Sequence, residues 1–227
     1  MLIRSTMCHL RTTGVLFNGL TNEQRVAIFT AGVLRRYEAH RTIIRTDDPA
    51  LHLYFVQLGN VNFYRTTKDG QQIILGRLLP TDVFGLGSLV TEPVHYIGTA
   101  ETVTETEVYL WERAHFRRLA AAYPLLAQNS MRILLHYIGL FVKRHMALVS
   151  ESAEERLAYT LTQLGSRAGH ILPAGLELEI KNEDLASLAD ISLFTASRLL
   201  QNWQRKGALE KHRGKVVIIR PEQLLVA

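Results

Sequence analysis

The sequence has almost no cysteine, few prolines and no long apolar run. Its 227 residues include one cysteine, Cys8, and six prolines. A single cysteine can neither form a disulfide within the chain nor supply the four thiolates of an iron–sulfur cluster. No apolar run reaches the roughly 18 residues that span a membrane, and the N-terminal stretch around Arg4 has no sustained apolar segment. We therefore expect no signal peptide, no membrane association and a reducing, cytoplasmic location.

The sequence also lacks the short motifs of common enzymes. It contains no nucleophile elbow, no phosphate-binding P-loop, no dinucleotide-binding glycine fingerprint and no paired-carboxylate arrangement. Gly85-Leu86-Gly87 matches only part of a glycine fingerprint. None of the nine histidines has the tight spacing of metal ligands. These absences argue against an enzyme, and we expect neither a metal nor a cofactor.

Positive charge is concentrated near the C-terminal end. Lysine and arginine number 26 against 21 acids, which gives a net charge of +5. Within residues 198–220 the only acid is Glu210. The basic residues of this segment are Arg198, Arg205, Lys206, Lys211, Arg213, Lys215 and Arg220. A solvated surface is the ordinary explanation of such a cluster, but its position at the end of a helix-turn-helix, argued below, favours nucleic-acid binding.

The first half of the chain alternates short apolar stretches with turns. A helix over residues 21–31 is predicted first, with Thr21 as N-cap and Gln24 three residues later. The apolar stretches that follow are 42–44, 51–56, 61–64, 73–75 and 108–111. Lys68-Asp69-Gly70 lies between two of them and predicts a hairpin. Many short strands with regular turns indicate an antiparallel sandwich or barrel.

A short helix over 113–122 and a long helix over 125–150 are predicted next. The long helix contains no proline and one glycine, Gly139. One face, spaced at steps of three and four, approaches a coiled-coil seam. Its residues are Leu134, Ile138, Phe141, His145 and Leu148. Such a helix can pack on its own domain, but its length and its place between two domains favour a dimer interface.

The last part of the chain predicts a winged helix-turn-helix. A helix over 153–168 is followed by a turn at 172–175, a strand over 176–180 and the helix-turn-helix over 182–206. Asn182 and Ser192 are the expected N-caps, and Asp190-Ile191 forms the turn. A hairpin around Arg213-Gly214 forms the wing. The second helix should enter a DNA major groove N-terminus first. The predicted DNA contacts are Ser192, Leu193, Phe194, Thr195, Ser197, Arg198, Gln201, Arg213 and Lys215.

Taken together, the chain resembles the Crp/Fnr family of bacterial regulators from about Leu16 to Pro221. The matching stretches are 48–59, 79–85 with Ser88-Leu89, and the helix-turn-helix with Ser197-Arg198. The resemblance implies an α+β protein. It comprises a β-roll (double-stranded β-helix) sensor over 1–124, a dimerisation helix over 125–150 and a winged helix-turn-helix over 151–227. It also implies a homodimer on palindromic double-stranded DNA, allosteric coupling through the long helix, and contact with RNA polymerase if the protein is an activator.

The recognition helix departs from the family pattern at one position. Ser197 and Arg198 match, but Phe194 stands where the family often has glutamate. Arg198 can contact guanine O6 and N7 in a bidentate manner, whereas Phe194 cannot accept a hydrogen bond from cytosine. Phe194 either packs on a thymine methyl group or turns away. The operator should therefore differ from the usual one of the family.

The sensor departs further. Where cyclic-nucleotide binders of the family have a Gly-Glu-Leu cassette and an Arg-Ser or Arg-Thr pair, an ungapped comparison gives Gly85-Leu86-Gly87 and Tyr96-Ile97. The expected pocket residues are Gly85, Leu86, Gly87, Ser88, Tyr96, Ile97, Phe141 and Val142. The charge that binds a phosphate is missing, and the family's haem site is also unmatched. We expect an effector that is smaller or more apolar than a cyclic nucleotide, and its identity stays unknown. In the alternative, the sensor is vestigial and the regulator is constitutive.

Overall fold

The computed structural model describes residues 14–224 except 91 and 93. Cys8 and the N-terminal stretch discussed above lie outside the described residues. Contacts divide the chain into two compact units that meet between Leu140 and Phe141. The three-part division expected from the sequence, with boundaries after residues 124 and 150, stays a prediction.

The described part of the first unit begins with a short 3-10 helix (Val15–Phe17). Helix α1 (Asn22–Thr30) follows and has the predicted capping box. Thr21 Oγ1 accepts from Gln24 N at 3.3 Å, and Gln24 Oε1 accepts from Thr21 N at 3.0 Å. Eight strands follow, in two four-stranded antiparallel sheets with the orders β1-β8-β3-β6 and β2-β7-β4-β5. They are β1 (Val33–Tyr37), β2 (Thr42–Ile44), β3 (His52–Leu58), β4 (Val61–Thr66), β5 (Gln72–Leu78), β6 (Val83–Phe84), β7 (Thr99–Thr102) and β8 (Thr106–Glu112).

The central strand β3 contributes to two separate apolar clusters. Neighbouring side chains of a strand point to opposite faces, so Leu53 and Phe55 pack toward the helices while Tyr54 and Val56 pack toward the second sheet. Trp111 of β8 lies on the helical side and donates from Nε1 to Ile28 O at 2.8 Å. The first sheet is thus covered by helices on one face and by the second sheet on the other. This arrangement confirms the predicted antiparallel β-roll.

Two helices close the β-roll, α2 (Arg113–Ala122) and α3 (Pro124–Ser150). Near its start, α3 is anchored by the buried Asn129, whose amide donates to Leu16 O at 3.0 Å and Asn18 O at 2.8 Å. Beyond Ile133 most of its side chains are exposed. By length and composition alone α3 also meets the requirements of a membrane span. One such helix is weak support for a membrane protein, because the core helix of a soluble protein passes the same test.

The second unit is an α+β domain with one four-stranded antiparallel sheet of order β11-β12-β10-β9. Its elements after α3 are α4 (Ala153–Ala168), β9 (His170–Leu172), β10 (Gly175–Glu179), α5 (Asn182–Leu188), α6 (Leu193–Arg205), β11 (Leu209–His212) and β12 (Lys215–Ile218). The core is apolar and includes Leu157 and Leu161 of α4, Leu185 of α5 and Trp203 of α6. The predicted winged helix-turn-helix is confirmed.

One local expectation for this unit was wrong, and one strand was not predicted. His170–Leu172 forms the edge strand β9, which the sequence did not predict because its three residues are all exposed and show no alternation. Asn182 is the first residue of α5 and not its N-cap, which is Lys181. The carbonyl of Lys181 accepts the first helical hydrogen bond, from Leu185 N at 3.1 Å, so the helix begins one residue earlier than expected.

Candidate nucleic-acid interface and sensor region

The turn between α5 and α6 is tight and unusual in its backbone. Asp190 has a φ of +54°, a left-handed conformation that aspartate tolerates better than most residues. Ile191 N donates to Ala186 O at 3.0 Å. Ala186 and Ala189 are buried, and their small side chains allow the two helices to approach closely. The turn therefore fixes the direction in which α6 leaves α5.

The N-terminus of α6 is capped by Ser192, as predicted. Its Oγ accepts from Thr195 N at 3.0 Å and lies 2.8 Å from Thr195 Oγ1. The remaining free N–H groups and the helix dipole give this end a partial positive charge. Such an end favours a nearby phosphate group.

The two faces of α6 differ sharply. Leu199, Leu200 and Trp203 are buried, whereas Phe194 is 78% exposed. Leu193, Arg198 and Gln201 are also exposed, and Thr195 and Ser197 are half-buried. The face that the sequence assigned to DNA is thus the solvent face, with an arginine at its centre and an unusual apolar pair near its N-terminus.

Two basic residues of the wing, Arg213 and Lys215, were both predicted to contact DNA, but their surroundings differ. Arg213 is exposed at the tip, next to Gly214 with a φ of +75°. Lys215 Nζ lies 3.0 Å from Glu177 Oε1 and 3.1 Å from Glu179 Oε1. The hydrogen bonds to these carboxylates raise the pKa of Lys215. The charge of Lys215 is therefore balanced within the sheet, by partners on β10 that are remote in sequence.

Aromatic side chains pack around the cassette in the first unit. Gly85 has a φ of +78°, and an added Cβ would lie 2.5 Å from His52 O and 3.4 Å from the Tyr96 ring. Tyr96 is 7% exposed, and its hydroxyl donates to His52 O at 3.1 Å and accepts from His52 N at 3.0 Å. Tyr54 stacks on Phe84 with ring centroids 4.7 Å apart. Protein atoms thus fill the space beside Gly85.

The other expected pocket residues have varied surroundings. Ser88 is buried, and its hydroxyl has no hydrogen-bond partner among the described residues. Ile97 is 65% exposed. Phe141 and Val142 are exposed and belong to the second unit. Leu86 lines a mainly apolar groove of about 500 Å³ with residues of α2 and α3. This groove was not predicted from the sequence, since its wall comes from three separate segments.

The expected dimer face of α3 lies open in the single chain. Leu134, Ile138, Phe141 and Leu148 are each more than 40% exposed, and His145 is exposed as well. Continuous apolar surface of this kind is uncommon on a monomeric protein.

Among the described residues, no three His, Cys, Asp or Glu side chains are grouped as metal ligands would be.

Comparisons with known proteins match both units. Residues 34–123 match the family of cyclic nucleotide-binding domains, and residues 155–226 match the Crp-like helix-turn-helix domain. The chain is 30% identical over 203 residues to the "Cyclic AMP receptor protein" of Thermus thermophilus, covering 89% of this chain and 91% of that one. It is 28% identical over 198 residues to the "CRP-like protein Clp" of Xanthomonas campestris, covering 82% and 83%. The solved structure of FixK2 from Bradyrhizobium japonicum superposes with a TM-score of 0.73 at 25% identity, covering 85% of this chain and 95% of that one.

Proposed function

This chain belongs to the Crp/Fnr family of DNA-binding transcription regulators, and on that premise we propose that it binds a palindromic operator as a homodimer through α6. Its relatives are transcription regulators, and we propose no catalytic activity for it. The protein acts in the cytoplasm on double-stranded DNA, and it contacts RNA polymerase if it is an activator.

The solvent face of α6 carries this proposal. Arg198 is exposed there, and its planar guanidinium suits the O6 and N7 acceptors of guanine. Ser192 and Thr195 mark the helix end that approaches the phosphates. Arg213 at the wing tip adds a backbone contact that fixes position without reading sequence.

The homodimer is supported by the exposed apolar face of α3. Two copies of this helix would cover one another's Leu134, Ile138 and Leu148, and burial of apolar surface is the main favourable term in such association. One recognition helix alone covers too few base pairs for useful specificity. With two-fold symmetry the half-sites lie one helical turn apart, roughly 34 Å.

For the sensor we propose an effector other than a cyclic nucleotide. The name of the Thermus thermophilus relative refers to cyclic AMP, but here Tyr96 and Ile97 stand at the positions that would hold the arginine–serine pair. A phosphate placed against apolar side chains loses hydration without compensation. A smaller or more apolar molecule does not have this cost.

A constitutive regulator is the second candidate. It is favoured by the packing beside Gly85, where Tyr96 is bonded to the backbone of His52 and Tyr54 stacks on Phe84. In that case the side chains themselves hold one state of the sensor. A ligand shifts an equilibrium only through different affinities for its two states.

The experiment is selection of binding sites from a random duplex library by the purified full-length protein. We expect enrichment of one motif made of two inverted half-sites, bound far more tightly than a scrambled duplex of equal length. Selection with and without added cell extract also separates the two sensor candidates. Only the constitutive regulator reaches full DNA affinity without an effector supplied by the extract. Equal affinity for the enriched and scrambled duplexes under every condition contradicts the proposal.

A further inference from the structure

One arginine joins the end of the long helix α3 to the turn of the helix-turn-helix. Arg144 Nε and Nη2 lie 2.5 Å and 2.6 Å from the two carboxylate oxygens of Asp190. Nη2 also donates to Ser187 O at 3.0 Å. The Arg144 and Asp190 side chains are each 22% exposed, so the pair is largely shielded from solvent. A bidentate arginine–carboxylate pair fixes direction as well as distance.

The junction between α3 and α4 is held by a second arginine. Arg156 donates to Glu151 O at 2.7 Å, to Ala189 O at 3.1 Å and to Asp190 O at 3.2 Å. The amide of Glu151 is bonded to Ala147 O at 2.9 Å, and the amide of Ser152 to the Glu155 carboxylate at 2.6 Å. The residues between the two helices therefore have little freedom to bend.

The weakest helix former inside α3 lies earlier, at Gly139. It is the one glycine of the helix, two residues before Phe141, where the second compact unit begins. A Cβ at Gly139 would meet no atom within 4 Å, so packing within the chain does not require glycine there. Glycine inside a helix weakens it relative to alanine.

We propose that Arg144 is a positioning residue for DNA recognition. By holding Asp190, it makes the last turns of α3, Phe141–Ser150, part of the same rigid body as the recognition helix. Movement of the DNA-binding unit then occurs within α3 at Gly139 and not at the Glu151–Ser152 junction. Asp190 is the effective target because its left-handed backbone sets the direction of α6.

The first test measures DNA affinity and rests on the proposed function. Arg144→Ala and Asp190→Gly should each lower affinity for a selected operator at least tenfold, with affinity for a random duplex changed less than twofold. Glycine suits the positive φ of Asp190, so this variant removes the carboxylate without backbone strain. The double variant should lose no more than either single variant, as for two residues of one interaction.

The sign of the Asp190→Gly effect separates positioning from simple electrostatics. Removing an acid raises DNA affinity on electrostatic grounds alone, whereas loss of positioning lowers it. Arg132→Ala is the matched control, an exposed arginine earlier in the same helix, and it should leave operator affinity unchanged. Tighter operator binding by Asp190→Gly, or equal losses on operator and random duplex, overturns the positioning role.

The second test uses hydrogen exchange of the full-length protein without DNA, so its outcome does not depend on the proposed function. In the wild type, amides of residues 145–152 should exchange slowly and those around Gly139 faster. Arg144→Ala should speed exchange in residues 145–152 and 187–192. The proposed role of Arg144 is overturned if wild-type exchange is fastest at the Glu151–Ser152 junction. It is also overturned if Arg144→Ala leaves the exchange rates unchanged. If no operator is selected, only the DNA-affinity test fails. The hydrogen-exchange test still decides whether Arg144 holds the end of α3 to the turn before α6.

Discussion

Phe194 and Arg198 lie one turn apart on the exposed face of α6, and their side chains suit different chemical groups of the bases. Arg198 can donate two hydrogen bonds to one guanine, whereas Phe194 offers only an apolar ring, which suits a thymine methyl group. Leu193 beside it is also exposed and extends the apolar surface. The pair therefore predicts an operator half-site with a guanine close to a thymine.

Arg198→Ala should lower affinity for the selected operator by about 1–3 kcal/mol for each half-site and relax the choice of base at one guanine in each half-site. Affinity for random DNA should hardly change. Arg205→Ala is the matched control, since Arg205 lies two turns further along the same helix and away from the end that enters the groove. Competition binding with single-base variants of the operator measures both effects. An equal loss on operator and random DNA would make Arg198 a phosphate contact.

Single residues were predictable where their partners are close in sequence. Thr21 and Ser192 were recognised as N-caps because the amides they accept from lie three residues away. The balance of Lys215 by Glu177 and Glu179 could not be predicted, because the register that pairs β10 with β12 joins distant segments. The Arg144–Asp190 contact was missed for the same reason, as it joins residues on two different helices.

The wing is the element in which two basic residues have separate roles. Arg213 lies at the exposed tip, whereas Lys215 is bonded to two carboxylates of the adjacent strand.

Elements with strong local periodicity, such as α2, α3 and α4, were predicted almost to the residue. The edge strand β9 was not, since its three residues are all exposed and show no apolar alternation.

Arg213→Ala should weaken binding to all DNA sequences alike and reduce the slope of log affinity against log salt by about 2, because each of the two wings of the dimer loses one phosphate contact. Lys215→Ala should leave the slope near its wild-type value, because the charge of Lys215 is already balanced by glutamates. Salt titrations of both variants, followed by fluorescence anisotropy, measure the difference. Equal slope changes in the two variants would show that Lys215 leaves Glu177 and Glu179 to contact phosphate.

The whole molecule combines a β-roll unit, which we propose as the sensor, with a winged helix-turn-helix unit, which we propose reads DNA. The sequence predicted the β-roll and the winged helix-turn-helix because each has its own pattern of strands, turns and caps. That Tyr54, Phe84 and Tyr96 fill the space beside Gly85 could not be predicted, since these residues come from three separate segments. Whether an apolar molecule displaces that packing depends on the area it buries, at roughly 25 cal/mol for each Å².

Cyclic AMP and cyclic GMP should show no micromolar binding by isothermal titration. A buried phosphate would meet Tyr96 and Ile97 in place of a cationic partner, at a cost of several kcal/mol. The related regulator from Thermus thermophilus provides a comparison under the same conditions. Micromolar binding of either nucleotide to this protein would contradict the proposed sensor chemistry.

Sedimentation velocity with a labelled operator measures whether the protein reads DNA as a dimer through two copies of α6. We expect a single complex of two chains per duplex at micromolar protein concentration. An operator cut to one half-site should bind much more weakly. One chain per full operator, or only monomers with and without operator, would show that the protein does not read DNA as a dimer.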